Sequence, residues 1–138
     1  MPTDWAVHLL RSEQLCASVP YAYAATTDAP PRLVFTAGAC PLDADGRTVA
    51  VGDVAGQAEQ VMANLRAALQ AAGADLTDVL MTRVYVASSA RSDLSTAWDV
   101  VSRHFGDHDA PSTLLGVTVL GWPDQLVEVE AVAVAREG

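Results

Sequence analysis

The sequence predicts a single α+β domain in which two helices pack on one face of a β-sheet. The chain has 138 residues, of which 51% are hydrophobic, the size and composition of one globular domain. Two segments repeat apolar residues at helical spacing, and five shorter segments have the apolar or alternating pattern of strands. The predicted order is strand, strand, helix, strand, helix, strand, strand.

The first part of the chain is predicted to hold few regular elements. Residues 1–18 form an N-terminal extension with one short helical turn over residues 5–10, and residues 19–138 form the domain itself. Residues 26–31 consist of Thr, Asp, Ala and Pro. This composition predicts a loop between two extended segments.

The next segment is predicted to be a β-hairpin. Residues 32–37 have a strand pattern that ends at Gly38, and residues 43–46 form a tight turn. Gly46 supplies the positive φ that hairpin turns require, so residues 48–51 are predicted to be the returning strand.

Two helices are predicted from apolar residues at intervals of three or four. The first begins after Asp53, a good N-cap, and ends before Gly73, a favourable residue after a helix. The second opens near Ser92 and closes at Gly106. The apolar positions of the first are Val54, Ala58, Val61, Leu65, Ala68 and Ala72, and those of the second are Leu94, Trp98, Val101 and Phe105.

Three more strands are predicted over residues 80–87, 112–120 and 126–135, with a turn at residues 121–124 joining the last two. In the final strand one face is wholly apolar, and it belongs against the helices. That face consists of Val127, Val129, Ala131 and Ala133. Because one layer of helices covers only one face of the sheet, the other face needs cover, which favours an oligomer.

The charge of the chain argues against nucleic acid as its main partner. The net charge is −9, and no residue is a lysine, whereas binding to phosphates needs clustered cations. The N-terminus lacks the pattern of a signal peptide, and no apolar run approaches the ~18 residues of a membrane span. We therefore expect a cytoplasmic protein whose Cys16 and Cys40 are free thiols.

The candidate chemistry lies in the final strand. Glu128 and Glu130 share the face opposite the wholly apolar one, together with Leu126, Val132 and Val134. A carboxylate among apolar neighbours is partly desolvated, which suits it for general acid/base chemistry. The alternative is that both carboxylates lie on a solvated strand face.

Other side chains leave two interpretations open. Cys40 is either an inert thiol or a reactive one, and Trp98 is either part of the core or a surface for ligand stacking. The three histidines have no metal-binding spacing with other ligands, and we predict no metal. The sequence has neither a nucleophile elbow nor a phosphate-binding glycine loop.

Several short motifs together resemble the Rid family, also called YjgF or L-PSP. They are Leu-Val-Phe-Thr-Ala-Gly-Ala-Cys-Pro-Leu at residues 33–42, Gly52-Asp53 with Gln57 and Asn64-Leu65, Ala71-Ala72-Gly73-Ala74, Val84-Tyr85-Val86, Phe105, and Leu-Val-Glu-Val-Glu-Ala-Val-Ala at residues 126–133. The resemblance covers roughly residues 20–136 in order. It implies a chorismate-mutase-like fold on a mixed sheet, and a homotrimer whose sheets form a central barrel with ligand clefts between subunits.

The resemblance also implies roles for single residues. Glu128 matches the glutamate that holds a hydrolytic water, Tyr21 matches a tyrosine of the cleft, and the backbone N–H of Gly38 is expected to meet the ligand. The family's deaminating branch hydrolyses enamines and imines derived from amino acids and needs no cofactor. Its mechanism uses an arginine that binds the substrate carboxylate.

This chain departs from that branch at three positions. Ser112 stands where the arginine is expected, Ala37 replaces a serine, and Trp98 replaces an asparagine. With Leu114 and Cys40 nearby, such a cleft suits a less polar ligand than 2-aminoacrylate. We therefore expect hydrolysis or tautomerisation of a small imine, enamine or related carbonyl compound. The alternatives are a non-catalytic trimeric module that binds a metabolite, and an endoribonuclease, which the acidic charge disfavours.

Overall fold

The computed structural model describes residues 7–28 and 32–136, and these residues form six strands, two α-helices and one short 3-10 helix. In chain order they are β1 (Val7–Leu10), β2 (Ala24–Thr27), β3 (Arg32–Phe35), α1 (Val54–Ala71), the 3-10 helix (Leu76–Asp78), β4 (Val79–Val86), α2 (Arg91–Phe105), β5 (Ser112–Gly116) and β6 (Val127–Ala135). The predicted α+β class is confirmed.

The main sheet has four strands in the order β3-β6-β4-β5, and β1 and β2 form a separate two-stranded ribbon. Strand β6 is antiparallel to both of its neighbours, whereas β4 and β5 are parallel. A parallel pair needs a long crossover connection, and helix α2 supplies it. The sheet is therefore mixed, as predicted.

Helix α1 forms where the sequence predicts it. At its N-terminus the Asp53 carboxylate accepts the backbone N–H of Gly56 at 3.0 Å, and past its C-terminus Gly73 has a φ of 86°. The helix packs against β6 and α2. Its core residues are fully buried: Ala58, Val61, Met62, Leu65 and Leu69.

The two faces of the main sheet have opposite character. The apolar set of β6 (Val127, Val129, Ala131 and Ala133) is at most 3% exposed and lies in the core, as predicted. The opposite face carries Glu128, Glu130 and Val132, which are half-buried, whereas Val134, which the spacing assigns to that face, is fully buried. Large apolar side chains remain exposed there, namely Leu33 at 49%, Phe35 at 72% and Leu115 at 41%.

The predicted returning strand over residues 48–51 is wrong. The turn at residues 43–46 is present, since Gly46 N–H donates to Asp43 O at 3.0 Å, but only an isolated bridge between Leu42 and Thr48 follows it. The reason is that Ala50 and Gly52 have φ values of 51° and 80°. Two left-handed residues so close together turn the chain away from an extended path.

The N-terminal prediction is also corrected. Residues 7–10 form β1, paired antiparallel with β2, so they do not belong to a helical turn; Trp5 and Ala6 lie outside the described residues. Thr26 and Thr27 belong to β2 rather than to a loop. The cause is the non-local ladder between the two strands, which satisfies backbone groups that a single helical turn would leave unpaired. The boundary between residues 18 and 19 stays a prediction.

Strand β5 is shorter than predicted, because it ends at Gly116 rather than at residue 120. Its neighbour β4 ends at Val86, which is in register with Gly116. Residues beyond Gly116 therefore have no strand of this sheet to pair with, and the chain leaves the sheet after a last hydrogen bond from Val117 N–H to Val86 O at 2.8 Å.

Candidate functional site

One group of predicted site residues gathers around Glu128, on the open face of β6. The Oε1 atom of Glu128 accepts a hydrogen bond from Gln125 Nε2 at 3.0 Å and one from the Cys40 thiol at 3.5 Å. Ala39 forms a bridge to Val129 of β6, with Ala39 N–H donating to Val129 O at 2.7 Å. This bridge holds the segment after β3 beside the carboxylate.

Gly38 makes room for that carboxylate. A Cβ atom at position 38 would lie 2.0 Å from Glu128 Oε2, far inside van der Waals contact. Only a residue without a side chain allows the carboxylate to lie directly against the backbone here. The neighbouring Ala37 is exposed. Glu128, Gly38 and Cys40 thus lie together, and their roles in a site stay a prediction.

Cys40 lies in this group as a protonated thiol. Burial, and then the negative charge and hydrogen bond of Glu128, raise the pKa of Cys40. A thiol with a raised pKa is a poor nucleophile at neutral pH. The structure therefore favours the interpretation of Cys40 as an unreactive thiol that donates a hydrogen bond.

Two polar side chains of α1 fix the loops around this group. Gln57, 0% exposed, donates from Nε2 to Asp124 O at 2.9 Å and to Ala50 O at 3.3 Å, and its Oε1 accepts Leu126 N–H at 2.7 Å. Asn64 Nδ2 donates to Cys40 O at 2.8 Å and to Leu42 O at 2.9 Å. The sequence motif contains both residues, but their roles appear only in the folded chain.

Gln125 also belongs to this group, although no sequence pattern predicts it as a site residue. It is 4% exposed, and besides Glu128 it contacts Trp122 N–H and Val127 O at 3.0 and 3.1 Å. The sequence feature that could have indicated Gln125 is its position, because an uncharged polar residue stands just before a strand that alternates apolar residues with acids. That position does not indicate which atom the Gln125 side chain binds.

The other group of predicted site residues lines a separate cleft of about 480 Å³. Tyr21, Trp98, Ser112 and Leu114 line it, with Pro20 and Thr113. Trp98 agrees with both the core and the ligand-stacking interpretation, because it packs against the core and also lines the cleft. The Ser112 hydroxyl is within 2.6 Å of the Thr82 hydroxyl. None of these six lining residues, the ones that the described part of the chain supplies, has a charged side chain.

The two groups lie on opposite faces of the sheet. Ser112 is in register with Thr82 of β4, which is in register with Ala131 of β6 on the buried face. Glu128 is in register with Tyr85 on the open face. Since residues in register point to the same face of a sheet, one chain does not bring Glu128 and Ser112 together.

The second carboxylate of β6 has different partners. Glu130 Oε2 accepts the Tyr85 hydroxyl at 2.6 Å and the Arg83 guanidinium at 3.2 Å. The hydrogen bond to Glu130, and then burial, raise the pKa of the Tyr85 phenol. Glu130 is thus engaged in a network on the open face.

The three histidines contact acidic side chains or a backbone carbonyl. His8 lies 3.2 Å from Asp28, His104 lies 2.6 Å from Glu59, and a ring nitrogen of His108 lies 2.7 Å from Val79 O. Over residues 7–28 and 32–136 no group of three or more His, Cys, Asp or Glu side chains is arranged to hold a metal ion. In the same part of the chain, neither helix is long and apolar enough to cross a membrane.

The fold and site define a small α+β protein with a half-buried carboxylate on an open sheet face. Comparison with known proteins gives the family. Residues 12–135 match the family model described as Endoribonuclease L-PSP, so the chain belongs to this family, and the resemblance to Rid proteins is confirmed.

Related proteins and structures agree with the assignment. The chain is 34% identical to the 2-iminobutanoate/2-iminopropanoate deaminase of Salmonella typhimurium over 106 residues, 75% of this chain and 80% of that protein. It is 30% identical to the 3-aminoacrylate deaminase RutC of Acinetobacter baylyi over 114 residues, 83% of this chain and 86% of that protein. The crystal structure of the Rid protein YyfB from Yersinia pestis, described as of unknown function, superposes with a TM-score of 0.85 at 30% identity, covering 93% of this chain and 98% of that one.

Proposed function

We propose that this protein hydrolyses or tautomerises a small uncharged imine, enamine or related carbonyl compound, with Glu128 as the catalytic acid/base. The observation that carries the proposal is the Glu128 group: a half-buried carboxylate that is held in one orientation and contacts no cation among the described residues. A carboxylate in such surroundings is well suited to exchange protons with a bound water or substrate.

The active site is composed of two copies of the chain. One copy supplies Glu128, Gly38 and Cys40, and a neighbouring copy supplies the cleft of Tyr21, Trp98, Ser112 and Leu114. The separation of these groups onto opposite sheet faces supports this arrangement, as do the exposed apolar side chains of the open face. We propose a homotrimer, which places one such site at each boundary between copies.

The substrate class follows from the lining of the cleft. The names of the two deaminase relatives specify carboxylate substrates, and a carboxylate needs a cation or several donors to leave water. Here the lining is uncharged, and Arg83 is bound to Glu130. An uncharged substrate with an apolar or aromatic part, lying against Trp98, fits these residues better. The net charge of −9 likewise argues against RNA.

The proposed hydrolysis needs only water and the Glu128 carboxyl. The carboxylate takes a proton from water as the water oxygen bonds to the carbon of the C=N group, and the π electrons move to nitrogen. The carboxyl then gives its proton to that nitrogen. A second cycle transfers the hydroxyl proton to the nitrogen as the C–N bond breaks, so the products are a carbonyl compound and an amine.

The test is turnover of imines formed in the assay from an amine and an aldehyde. Glu128→Gln is expected to lower kcat/KM roughly 10²–10⁴-fold, the usual contribution of a positioned acid/base. Glu130→Gln is the matched control, and it should change kcat/KM only a few-fold. Equal rates for wild type and Glu128→Gln would refute the proposal. A preference for carboxylate-bearing imines over uncharged ones would refute the substrate class.

One observation favours a second candidate, a trimeric module that binds a metabolite without turning it over. The Ser112 hydroxyl is already engaged by Thr82, so the cleft has few free polar groups to activate a substrate. Saturable binding of an uncharged imine or carbonyl compound, with no product and with equal affinity in Glu128→Gln, would support this candidate over the enzyme.

A further inference from the structure

The contacts of Glu128 fall unequally on its two oxygen atoms. Both hydrogen bonds that the described residues donate to this side chain, from Gln125 and from Cys40, reach Oε1. Oε2 lies against the Cα of Gly38. The two hydrogen bonds to Oε1 therefore restrict the rotation of the carboxylate.

The orientation of the Gln125 amide is determined by its other contact. Its Oε1 atom faces the backbone N–H of Trp122 at 3.0 Å. A backbone N–H is only a donor, so the oxygen of the amide must be on that side. The Nε2 group therefore points at Glu128 and at Val127 O, and it donates to the carboxylate.

The turn that carries Gln125 is itself fixed from two directions. Thr48 donates from its hydroxyl to Pro123 O at 2.8 Å, and Gln57 binds both Asp124 O and Leu126 N–H. Asp124 has a φ of 62°, an unusual conformation that persists only when its surroundings hold it. The amide is thus part of a rigid support rather than a mobile side chain.

Cys40 complements this support from the other side. Asn64 holds its carbonyl, and the thiol lies between Glu128 Oε1 at 3.5 Å and Gly38 O at 3.4 Å. Both neighbours are acceptors, so the sulfur is the donor, and its single proton is shared between them. The thiol keeps its proton, as described above, and remains available for this contact.

We propose that Gln125 and Cys40 are positioning residues that hold Glu128 by Oε1 and so present Oε2 as the atom that exchanges protons. The catalytic role of these two residues rests on the proposed function, but their effect on the Glu128 carboxylate is measurable without turnover. The two residues differ in strength, because an amide N–H is a much better donor than a thiol. Gln125 is therefore the main support and Cys40 the lesser one.

The experiment follows the titration of the Glu128 carboxyl carbon by NMR, assigned by its absence in Glu128→Gln. Gln125→Glu keeps the acceptor for Trp122 N–H but replaces the donor with a like charge. We expect it to raise the titration midpoint of Glu128 by about one pH unit, since a neighbouring negative charge disfavours ionisation. Cys40→Ala should raise the midpoint by less, and Cys40→Ser, which keeps a donor, by less again.

The other charged or titratable groups near Glu128 are the same in every variant. They are Tyr85 on β4, and Glu130 with its bound Arg83 on the same face. Gln14→Glu adds the same charge in an exposed loop and controls for net charge, so its midpoint should match that of wild type.

Unchanged midpoints in both Gln125→Glu and Cys40→Ala, each folded by circular dichroism, would overturn the proposal. If Gln125→Glu does not fold, Cys40→Ala alone decides, because it adds no charge to the interior. Where turnover is found, the acid limb of the pH profile of kcat should move in the same direction as the midpoint. Absence of turnover with shifted midpoints would refute the proposed function and leave the positioning intact.

Discussion

Glu128 and Glu130 lie on the same face of β6, two residues apart, and are held by different kinds of partner. Glu130 is bound by Arg83 and Tyr85, which belong to the adjacent strand β4. Glu128 is bound by Gln125 and Cys40, which belong to loops at the end of the sheet. The strand alternation alone makes the two residues equivalent, and their partners make them different.

The different partners of Glu128 and Glu130 indicate which carboxylate of this fold is suited to acid/base chemistry. A carboxylate that accepts from a guanidinium is stabilised as an anion and already neutralised. A carboxylate that accepts from an amide and a thiol keeps its full charge and one free oxygen. The loops, and the α1 side chains that hold them, are therefore what separates a structural carboxylate from a candidate catalytic one.

The largest expected effect is a loss of stability when Gln57 of α1, which holds the loops around Glu128, is replaced. Gln57→Leu leaves Leu126 N–H and the carbonyls of Asp124 and Ala50 without their partner, and we expect a loss of about 3 kcal/mol in the free energy of unfolding. Urea unfolding followed by circular dichroism measures it. The matched control is Gln70→Leu, at an exposed position of the same helix, which should cost under about 0.5 kcal/mol. Equal costs for the two variants would contradict the role of Gln57.

A smaller effect is expected at the point where the carboxylate meets the backbone. Gly38→Ala places a methyl group on Glu128 Oε2, so the carboxylate must move, and overpacking of this kind costs about 1–3 kcal/mol. Turnover should fall with stability, because Oε2 no longer reaches its position. Gly121→Ala is the matched control, because a Cβ atom at position 121 would meet nothing within 4 Å. A Gly38→Ala protein with wild-type stability and an unmoved Glu128 in its crystal structure would contradict the close approach.

The smallest expected effect is a change in the pKa of Tyr85, the tyrosine that is hydrogen-bonded to Glu130. The pKa of Tyr85 is raised because its hydroxyl donates to Glu130. Glu130→Gln removes the negative charge that opposes the phenolate, so the pKa of Tyr85 should fall towards its ordinary value of about 10. Absorbance of the phenolate against pH measures it, with Tyr85→Phe identifying the signal. Because the raised pKa favours the protonated phenol, the contribution of this bond to stability is present below pH 10 and is lost as the pH rises through the folded pKa.

Much of the main sheet and both helices are predictable because their signals are local. Asp53 and Gly73 mark the ends of α1, and the alternation along β6 separates the core face from the face of the carboxylates. The ribbon of β1 and β2 is not predictable in this way, since each strand is stabilised by a partner distant in sequence. The strand predicted after the turn at Gly46 is wrong because Ala50 has a φ of 51°, which no local pattern of the sequence indicates.

The candidate site follows the same division. The position of Glu128 on the open face is a consequence of strand period and could be predicted. Its contacts with Gln125 and Cys40 could not, because they depend on three loops that meet only after the chain has folded. The family resemblance points to Gly38, but the reason for a glycine there becomes visible only from the position of the Glu128 carboxylate.

The close approach of Gly38 and Glu128 has a consequence for how this surface can change. The Glu128 side chain fills the space that a side chain at position 38 would need. A change at either position therefore affects what the other position can accept. Shortening the acid by one methylene, as in Glu128→Asp, opens the space that an alanine at position 38 requires. The two substitutions should therefore be less harmful together than the sum of their separate costs, as expected for residues in direct contact.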